Sequence, residues 1–284
     1  MDTRMQAEKA ERFRKLHRGP RLLVLPNAWD VASARILEEL GYPAIATTSA
    51  GVAFSLGYPD GQRVSREQML EVVARIAHTV RVPVTADMEA GYGTTVQDMS
   101  EAAKALIATG AIGMNLEDVT GEDESSHVET GLQAEKIRAI RETASSLGVP
   151  LVLNARTDIY LMPIGPAGTR FERTVERLRA YHQAGADCLF APGLRDGETI
   201  GKLVAALDGP LNILLMPGGP SLRELEKMGV ARASAGSAVM RATLSLVQRI
   251  GKELMEAESC DFLFDGTIPH AELNRLLGRA AAAH

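Results

Sequence analysis

One pattern recurs eight times along this chain of 284 residues and leaves few folds open to it. A helical stretch closes on Gly or Gly-Pro, a short apolar run follows, and the run ends in polar residues. The runs begin at Arg21 (R-L-L-V-L-P-N-A), Gly41, Val82, Gly110, Gly148, Gly185, Gly209 and Gly229. Glycine suits the left-handed position that ends a helix. Uninterrupted apolar runs suit strands covered on both faces, as in a parallel sheet. Apolar periodicity predicts helices over Ala32–Leu40, Glu67–Val80, Val96–Thr109, Leu132–Leu147, Phe171–Ala184 and Ser237–Glu256. Eight such alternations, in a chain slightly longer than the roughly 250 residues typical of the fold, predict an α/β protein built as a (β/α)8 TIM barrel. The competing architecture is an open doubly wound sheet, but no G-x-G-x-x-G follows the first strand. No Pro-, Gly- or Ser-rich linker divides the chain. Residues 1–284 therefore read as a single domain, with a helical N-terminal segment (Met1 to Pro20) and a C-terminal helical extension from about Ser259, including a helix over Pro269 to Ala283.

Composition narrows the function classes. The formal charge of -5 argues against a nucleic-acid partner. No apolar run approaches the roughly 20 residues of a spanning helix, and Met1 to Pro20 lacks the apolar core of a signal peptide. No membrane role is expected, and the cytoplasm is the expected compartment. Cys188 and Cys260 make neither a disulfide framework nor a zinc spacing, and Cys188, inside A-D-C-L-F-A, reads as a buried inert thiol.

The chemistry concentrates where the predicted strands end, which in a barrel is where the active site forms. V-P-V-T-A-D-M-E-A-G-Y-G (Val82 to Gly93) reads as a buried strand ending in two carboxylates. Asp87 and Glu89, one residue apart, would share a face of an extended chain. Charge there needs a partner, and paired carboxylates suit a hard cation such as Mg2+. Neighbouring strand ends offer Thr47, Thr48 and Ser49; Asn115, Glu117 and Asp118; and Asn154, Arg156, Thr157 and Asp158. Asn212 lies early in the seventh run, and Ser234 and Ser237 flank the end of the eighth. Acidic groups from adjacent strands thus converge near one arginine, whose guanidinium can fork onto a carboxylate. Without a ligand the same groups would make a buried ion network that supports the barrel. The connection from Asp118 to Gly131 is long enough to form a lid, and it carries His127 and the charge run Glu122-Asp123-Glu124. Trp29, after the first strand, reads as packing.

In T-T-S-A-G (Thr47 to Gly51), G-Y-P-D (Gly57 to Asp60), D-M-E-A-G-Y-G (Asp87 to Gly93), N-L-E-D (Asn115 to Asp118) and N-A-R-T-D (Asn154 to Asp158), the chain resembles the isocitrate lyase/phosphoenolpyruvate mutase superfamily. The resemblance runs from about Pro26 to Arg249. It implies a barrel with its last helix swapped between subunits of a homotetramer or dimer, a Mg2+ cofactor, and small 2-oxo or 2-hydroxy acid substrates. Asp87 matches the direct metal ligand; Asp60, Glu89 and Glu117 match residues that hold the metal through water. Ser49, Ala50 and Gly51 match the carboxylate pocket, with Thr47 where relatives carry an aromatic residue. Arg156 matches the arginine near the breaking bond, and Asn212 an asparagine of the lyase branch. Arg156, Asp60 and Glu117 are thus the expected catalytic residues, and Thr47, Ser49, Ala50, Gly51, Asp87, Arg156 and Asn212 the expected substrate-binding ones.

The loop after the fourth strand departs from the pattern. It reads V-T-G-E-D-E-S-S-H-V, without the K-x-C-G-H of isocitrate and methylisocitrate lyases or the K-T-N of the phosphonopyruvate branch. The expectation is a Mg-dependent lyase that cleaves a C–C bond, with or without decarboxylation, of a 2-oxo or 2-hydroxy dicarboxylate through a metal-stabilised enolate. The alternatives are a phosphonopyruvate hydrolase or phosphoryl mutase, and a 2-oxo acid binding protein without catalysis.

Overall fold

The computed structural model describes residues 2–119, 127–162, 165–256 and 259–278. Strands β1 (Leu23–Leu25), β2 (Asn27–Ala28), β3 (Ile45–Thr47), β4 (Val84–Asp87), β5 (Gly113–Leu116), β6 (Val152–Arg156), β7 (Cys188–Phe190), β8 (Leu211–Leu214) and β9 (Arg232–Ser234) form one sheet. All neighbours are parallel, in the order β1-β9-β8-β7-β6-β5-β4-β3-β2. This is a nearly closed barrel of the (β/α)8 type. Its nine strands, against eight predicted, come from a division of the first run at Pro26, which has no N–H to donate to a ladder. The piece before Pro26 pairs with β9 and the piece after it with β3, so the first run closes the ring.

The helices are α1 (Thr3–Leu16), α2 (Val31–Glu39), α3 (Ser49–Ser55), α4 (Arg66–Thr79), α5 (Val96–Ala108), α6 (Thr130–Ser146), α7 (Arg170–Gln183), α8 (Gly197–Ala206), α9 (Leu222–Lys227), α10 (Ala238–Glu256) and α11 (His270–Gly278). The six predicted from periodicity fall within about two residues of their expected ends. Helices α3, α8 and α9 were not predicted; at six to ten residues they carry little periodic signal. Several starts are written locally. Ser65 with Gln68, Thr95 with Asp98, and Ser221 with Glu224 each form a capping box. Gly110, at φ +88°, turns the chain from α5 towards β5.

Two apolar layers hold the barrel. The larger lies between sheet and helices, with Met88, Met99, Met114, Leu153, Leu178, Tyr181 and Leu189 buried in it. A smaller one closes the end of the barrel at which the strands begin. There Ala10 and Phe13 of α1 pack on Leu23, Leu25, Ala44, Ala46, Ile112 and Val152. The Gln6 side-chain amide fastens α1 by donating to the carbonyls of Ile107 and Ala111, both at 2.8 Å. Among the described residues no helix is long and apolar enough to cross a membrane. The predicted C-terminal helix corresponds to α11, which docks on α2 where Arg35 donates to the Leu276 carbonyl; residues 279–284 lie outside the described part.

Candidate active site

At the opposite end of the barrel, where the strands finish, a cavity of about 690 Å3 opens among the βα connections. A larger groove of about 880 Å3 runs between α1 and the other rim, past Leu16, Pro20, Leu22 and Pro43. That groove is mostly apolar and gathers none of the strand-end carboxylates. The chemistry therefore lies in the smaller cavity.

Asp87, the last residue of β4, is held from several sides. Its Oδ2 accepts from the Ser49 backbone N–H at 3.1 Å and the Ser49 hydroxyl at 2.8 Å. Its Oδ1 receives the Asn115 amide at 3.4 Å, and its own N–H donates to Thr47 Oγ1 at 2.9 Å. Asn154 in turn donates to Asn115 Oδ1 at 2.8 Å, so polar side chains of three adjacent strands converge on this carboxylate.

Glu89 reaches the cavity by another route than the expected one. The strand stops at Asp87, and Glu89 sits in a turn at φ +49°, not on the same face of an extended chain. A non-glycine residue there is uncommon, and Gln62 (φ +55°) and Tyr92 (φ +59°) share the condition nearby. Gly91, at φ +89°, completes the turn, where a Cβ would collide with Met99 Sδ at 2.5 Å. Glu89 Oε1 accepts from the Gln62 N–H at 2.9 Å. Burial, then the neighbouring Asp87 and Asp60, raises the Glu89 carboxyl above its ordinary range, against the Gln62 bond.

Arg156 ends β6 between two acids. It donates to Asp158 through Nε (2.6 Å) and Nη2 (3.0 Å), and to Glu117 through Nη1 at 2.5 Å. Its guanidinium carbon lies 5.7 Å from the centroid of the Phe190 ring. Three of the five N–H groups of an arginine are thus engaged, which leaves two for a ligand. Burial alone would lower the Arg156 pKa, but Asp158 and Glu117 overcome it and hold the cation. Burial pushes the Glu117 carboxyl well up; Arg156 opposes this, while Asp158, Asp87 and Glu89 add to it. Behind them Asp118 is fully buried, accepting from Arg177 (2.7 Å), the Tyr181 hydroxyl (2.8 Å) and the Asp158 N–H (3.0 Å).

Of the residues singled out from sequence, Ser49, Ala50, Asp60, Asp87, Glu89, Glu117 and Arg156 line this cavity together. Thr47, Gly51 and Asn212 do not. Thr47 is fully buried behind Asp87, whose N–H it accepts. Gly51 lies inside α3, where a Cβ would meet Thr48 Cγ2 at 2.5 Å. Asn212 begins its strand too early to reach the mouth and bonds Ser234 within the barrel at 3.2 Å. His127 pairs with Val119 at the base of the proposed lid and is not among the lining residues. Residues 120–126, with most of that lid and the run Glu122-Asp123-Glu124, lie outside the described part. Trp29 packs on the main core as expected, and Cys188 is buried, its thiol pushed up to about 12 chiefly by burial.

Sequence reading missed Phe190, Leu161, Met162 and Arg241 as lining residues. Arg241 had a signal. Ala238, Arg241, Ala242 and Ser245 recur at helical spacing just after the last strand, and a helix in that position starts at the mouth.

The donor set fits a hard divalent cation. It consists of oxygen ligands, and its carboxyl groups are raised by burial and by one another, which a cation would relieve. Among the described residues no three His, Cys, Asp or Glu side chains close on one point. The ion that fits is one that keeps several waters and takes one or two carboxylates, as Mg2+ does. Asp87, with Asp60, Glu89 and Glu117 lining the same cavity, could supply such ligands.

Comparison with known proteins agrees with this fold. The family model described as phosphoenolpyruvate phosphomutase matches residues 13–255. An uncharacterised Mycobacterium tuberculosis protein is 32% identical, covering 93% of this chain and 95% of its own. An oxaloacetate decarboxylase of Ectopseudomonas mendocina is 27% identical over 88% and 85% of the two chains, and a 2-methylisocitrate lyase of Bacillus subtilis 28% over 72% and 67%. A crystal structure from Burkholderia cenocepacia J2315 superposes with a TM-score of 0.88 at 36% identity, over 95% and 96% of the chains. Oxaloacetate acetylhydrolase in complex with its product oxalate superposes with a TM-score of 0.84 at 28% identity, over 96% and 95%. With the barrel, the acidic mouth and these matches together, the chain belongs to the phosphoenolpyruvate phosphomutase family, within the PEP mutase/isocitrate lyase superfamily.

Proposed function

We propose that this protein is a Mg2+-dependent lyase that breaks a C–C bond of a 2-oxo dicarboxylate of the oxaloacetate type, by decarboxylation or a related cleavage. The observation that carries the reading is the pairing, in one cavity, of a carboxylate held by Ser49 and Asn115 (Asp87) with an arginine locked between Glu117 and Asp158 (Arg156). A bound divalent cation would supply Lewis acidity to the 2-oxo group and neutralise charge that develops there.

The chain's own residues do the rest. Arg156, fixed on two acids, offers its remaining N–H groups to a carboxylate in a geometry set beforehand, so little order is lost on binding. Ser49 and Ala50, at the start of α3, border the same space, and Arg241 brings a second guanidinium for the other end of a dicarboxylate. Phe190, Leu161 and Met162 exclude water from one side. Cys188 is buried below the cavity and Cys260 is exposed in the C-terminal extension, so no cysteine among the described residues serves as proton donor. This favours an oxaloacetate-type substrate over methylisocitrate. Two of the compared proteins carry oxaloacetate in their names.

We also propose a homo-oligomer. Helix α10 leaves Leu244, Leu246, Val247, Leu254 and Met255 exposed, a surface suited to a second copy of the chain.

The test is product analysis with Mg2+ and oxaloacetate, methylisocitrate and phosphonopyruvate. Pyruvate or another oxo acid from a carbon substrate, lost on adding EDTA, is the expected result. Phosphate or phosphoenolpyruvate from phosphonopyruvate would move the protein to P–C chemistry, and oxo-acid binding without turnover would make it a binding protein.

A further inference from the structure

Arg232 is the exception among the buried arginines. Arg35 and Arg177, like the half-buried Arg156, donate to carboxylates or carbonyls. Arg232 is 0% exposed, and none of Nε, Nη1 and Nη2 has a hydrogen-bond partner in the protein. It lies on β9, in register with Leu23 and Asn212 inside the sheet. Ser234, two residues on, lines the cavity. Alternation along a strand puts both side chains on the inner face, with Arg232 about 7 Å nearer the closed end.

Other residues stand in the same relation to the cavity, Leu25, Gly113 and Asn212 among them, two positions before Asn27, Asn115 and Leu214. Thr85 precedes Asp87 by two positions, Asn154 precedes Arg156, and Cys188 precedes Phe190. Thr85 Oγ1 and Asn154 Oδ1 are also buried without a hydrogen-bond partner. Polar groups of Thr85, Asn154 and Asn212 therefore lie beneath the site beside apolar Leu25, and Arg232 brings a guanidinium among them. Burial opposes the Arg232 cation, and the Asp87 carboxylate above it is the anion that favours it. Below, Arg232 helps burial to keep His17 uncharged.

A buried charge without a partner destabilises a fold, and an apolar side chain of similar length is commonly better tolerated there. Local rules are broken in this way mainly at functional sites. The site above supplies a reason. Its lining holds five carboxylates (Asp60, Asp87, Glu89, Glu117 and Asp158) and two guanidiniums (Arg156 and Arg241), while the ligand proposed for it is itself a dianion.

We propose that Arg232 is a positioning residue, a buried cation kept at some loss of barrel stability because its field, acting from beneath Asp87, lets the acidic site accept a dianionic 2-oxo acid. This rests on the lyase reading above.

The test compares Arg232→Met and Arg232→Lys with wild type in the full chain, with oxalate as the dianion probe. Three quantities are measured: thermal unfolding without ligand, the dissociation constant of Mg2+ alone, and that of oxalate with Mg2+ present. Arg232→Met is expected to melt no lower than wild type and to bind Mg2+ at least as tightly, since a repelling charge is gone. Its oxalate affinity should fall on the order of tenfold, the effect of unit charges about 10 Å apart at an effective dielectric near 20. Arg232→Lys should recover most of that loss. Oxalate affinity within twofold of wild type in Arg232→Met would overturn the inference. So would failure of that variant to fold, or a lowered melting temperature that lysine does not restore, because either result makes Arg232 structural. If wild type with Mg2+ does not bind oxalate, the lyase reading fails first and the inference falls with it.

Discussion

The two ends of this barrel treat charge in opposite ways. At the closed end, Asp187 accepts from Arg14 at 2.8 Å and from Arg141 at 2.5 Å, and the same guanidiniums also satisfy the carbonyls of Pro150, Leu151 and Gly185. The buried Asp187 there is matched by two guanidiniums, and α1 covers the end with apolar side chains. At the open end, carboxyl groups crowd one cavity, Glu89 and Glu117 are raised above their ordinary range, and three non-glycine residues stand at positive φ. One end is arranged for stability. The other keeps strain and unbalanced charge that a cation and an anionic ligand can use.

The largest test of that contrast is Asp87→Ala. Turnover on the true substrate should fall on the order of 10³-fold or more, because charge stabilisation at the reacting group is lost. The melting temperature of the ligand-free protein should hold or rise. Full turnover in this variant would remove Asp87 from the metal role.

Asp187→Ala should do the reverse. It leaves Arg14 and Arg141 without their shared carboxylate, and urea unfolding should show a loss of about 3 kcal/mol, as expected when one partner of a buried pair is removed. The kcat of the folded fraction should stay at the wild-type value; a selective fall in kcat would show that the two ends are coupled.

His17, beneath the barrel, makes the closed end sensitive to pH. Burial, assisted by Arg232, lowers its pKa to about 4, and its Nδ1 lies 2.9 Å from the Phe13 carbonyl. Between pH 6.5 and 4 the unfolded chain therefore binds the proton and the folded one does not. The contribution is complete above the unfolded value and is lost as pH falls towards 4, amounting to about 3 kcal/mol. His17→Leu should flatten the stability–pH curve over that window by a similar amount relative to wild type. An unchanged slope would mean that His17 titrates normally.

The smallest effect is expected from Glu89→Gly. Relief of the left-handed backbone should stabilise the protein by about 1 kcal/mol, while Mg2+ affinity measured by calorimetry weakens. Loss of stability would show that Glu89 supports the fold more than the site.

Much of this molecule is legible in the chain because the information is local. A helix closed by glycine and followed by an apolar run needs no distant contact to be recognised, and its repetition implies a closed parallel sheet. The strand-end residues Asp87, Glu117 and Arg156 were found for the same reason, since a barrel sends the ends of its strands to one mouth. The short helices α3, α8 and α9 fell below what periodicity can show. Tertiary structure alone decided the rest. The split at Pro26 acquires its meaning only when β1 meets β9, more than 200 residues away in the chain. The left-handed turn at Glu89, the withdrawal of Thr47 and Asn212 behind the cavity and the arrival of Arg241 depend on the depth at which each strand stops, which closure of the ring sets. Arg232 shows the difference most plainly. In the sequence it is one more arginine in G-V-A-R-A-S, and only the closed barrel, by removing water and every protein partner from its guanidinium, turns it into a buried charge.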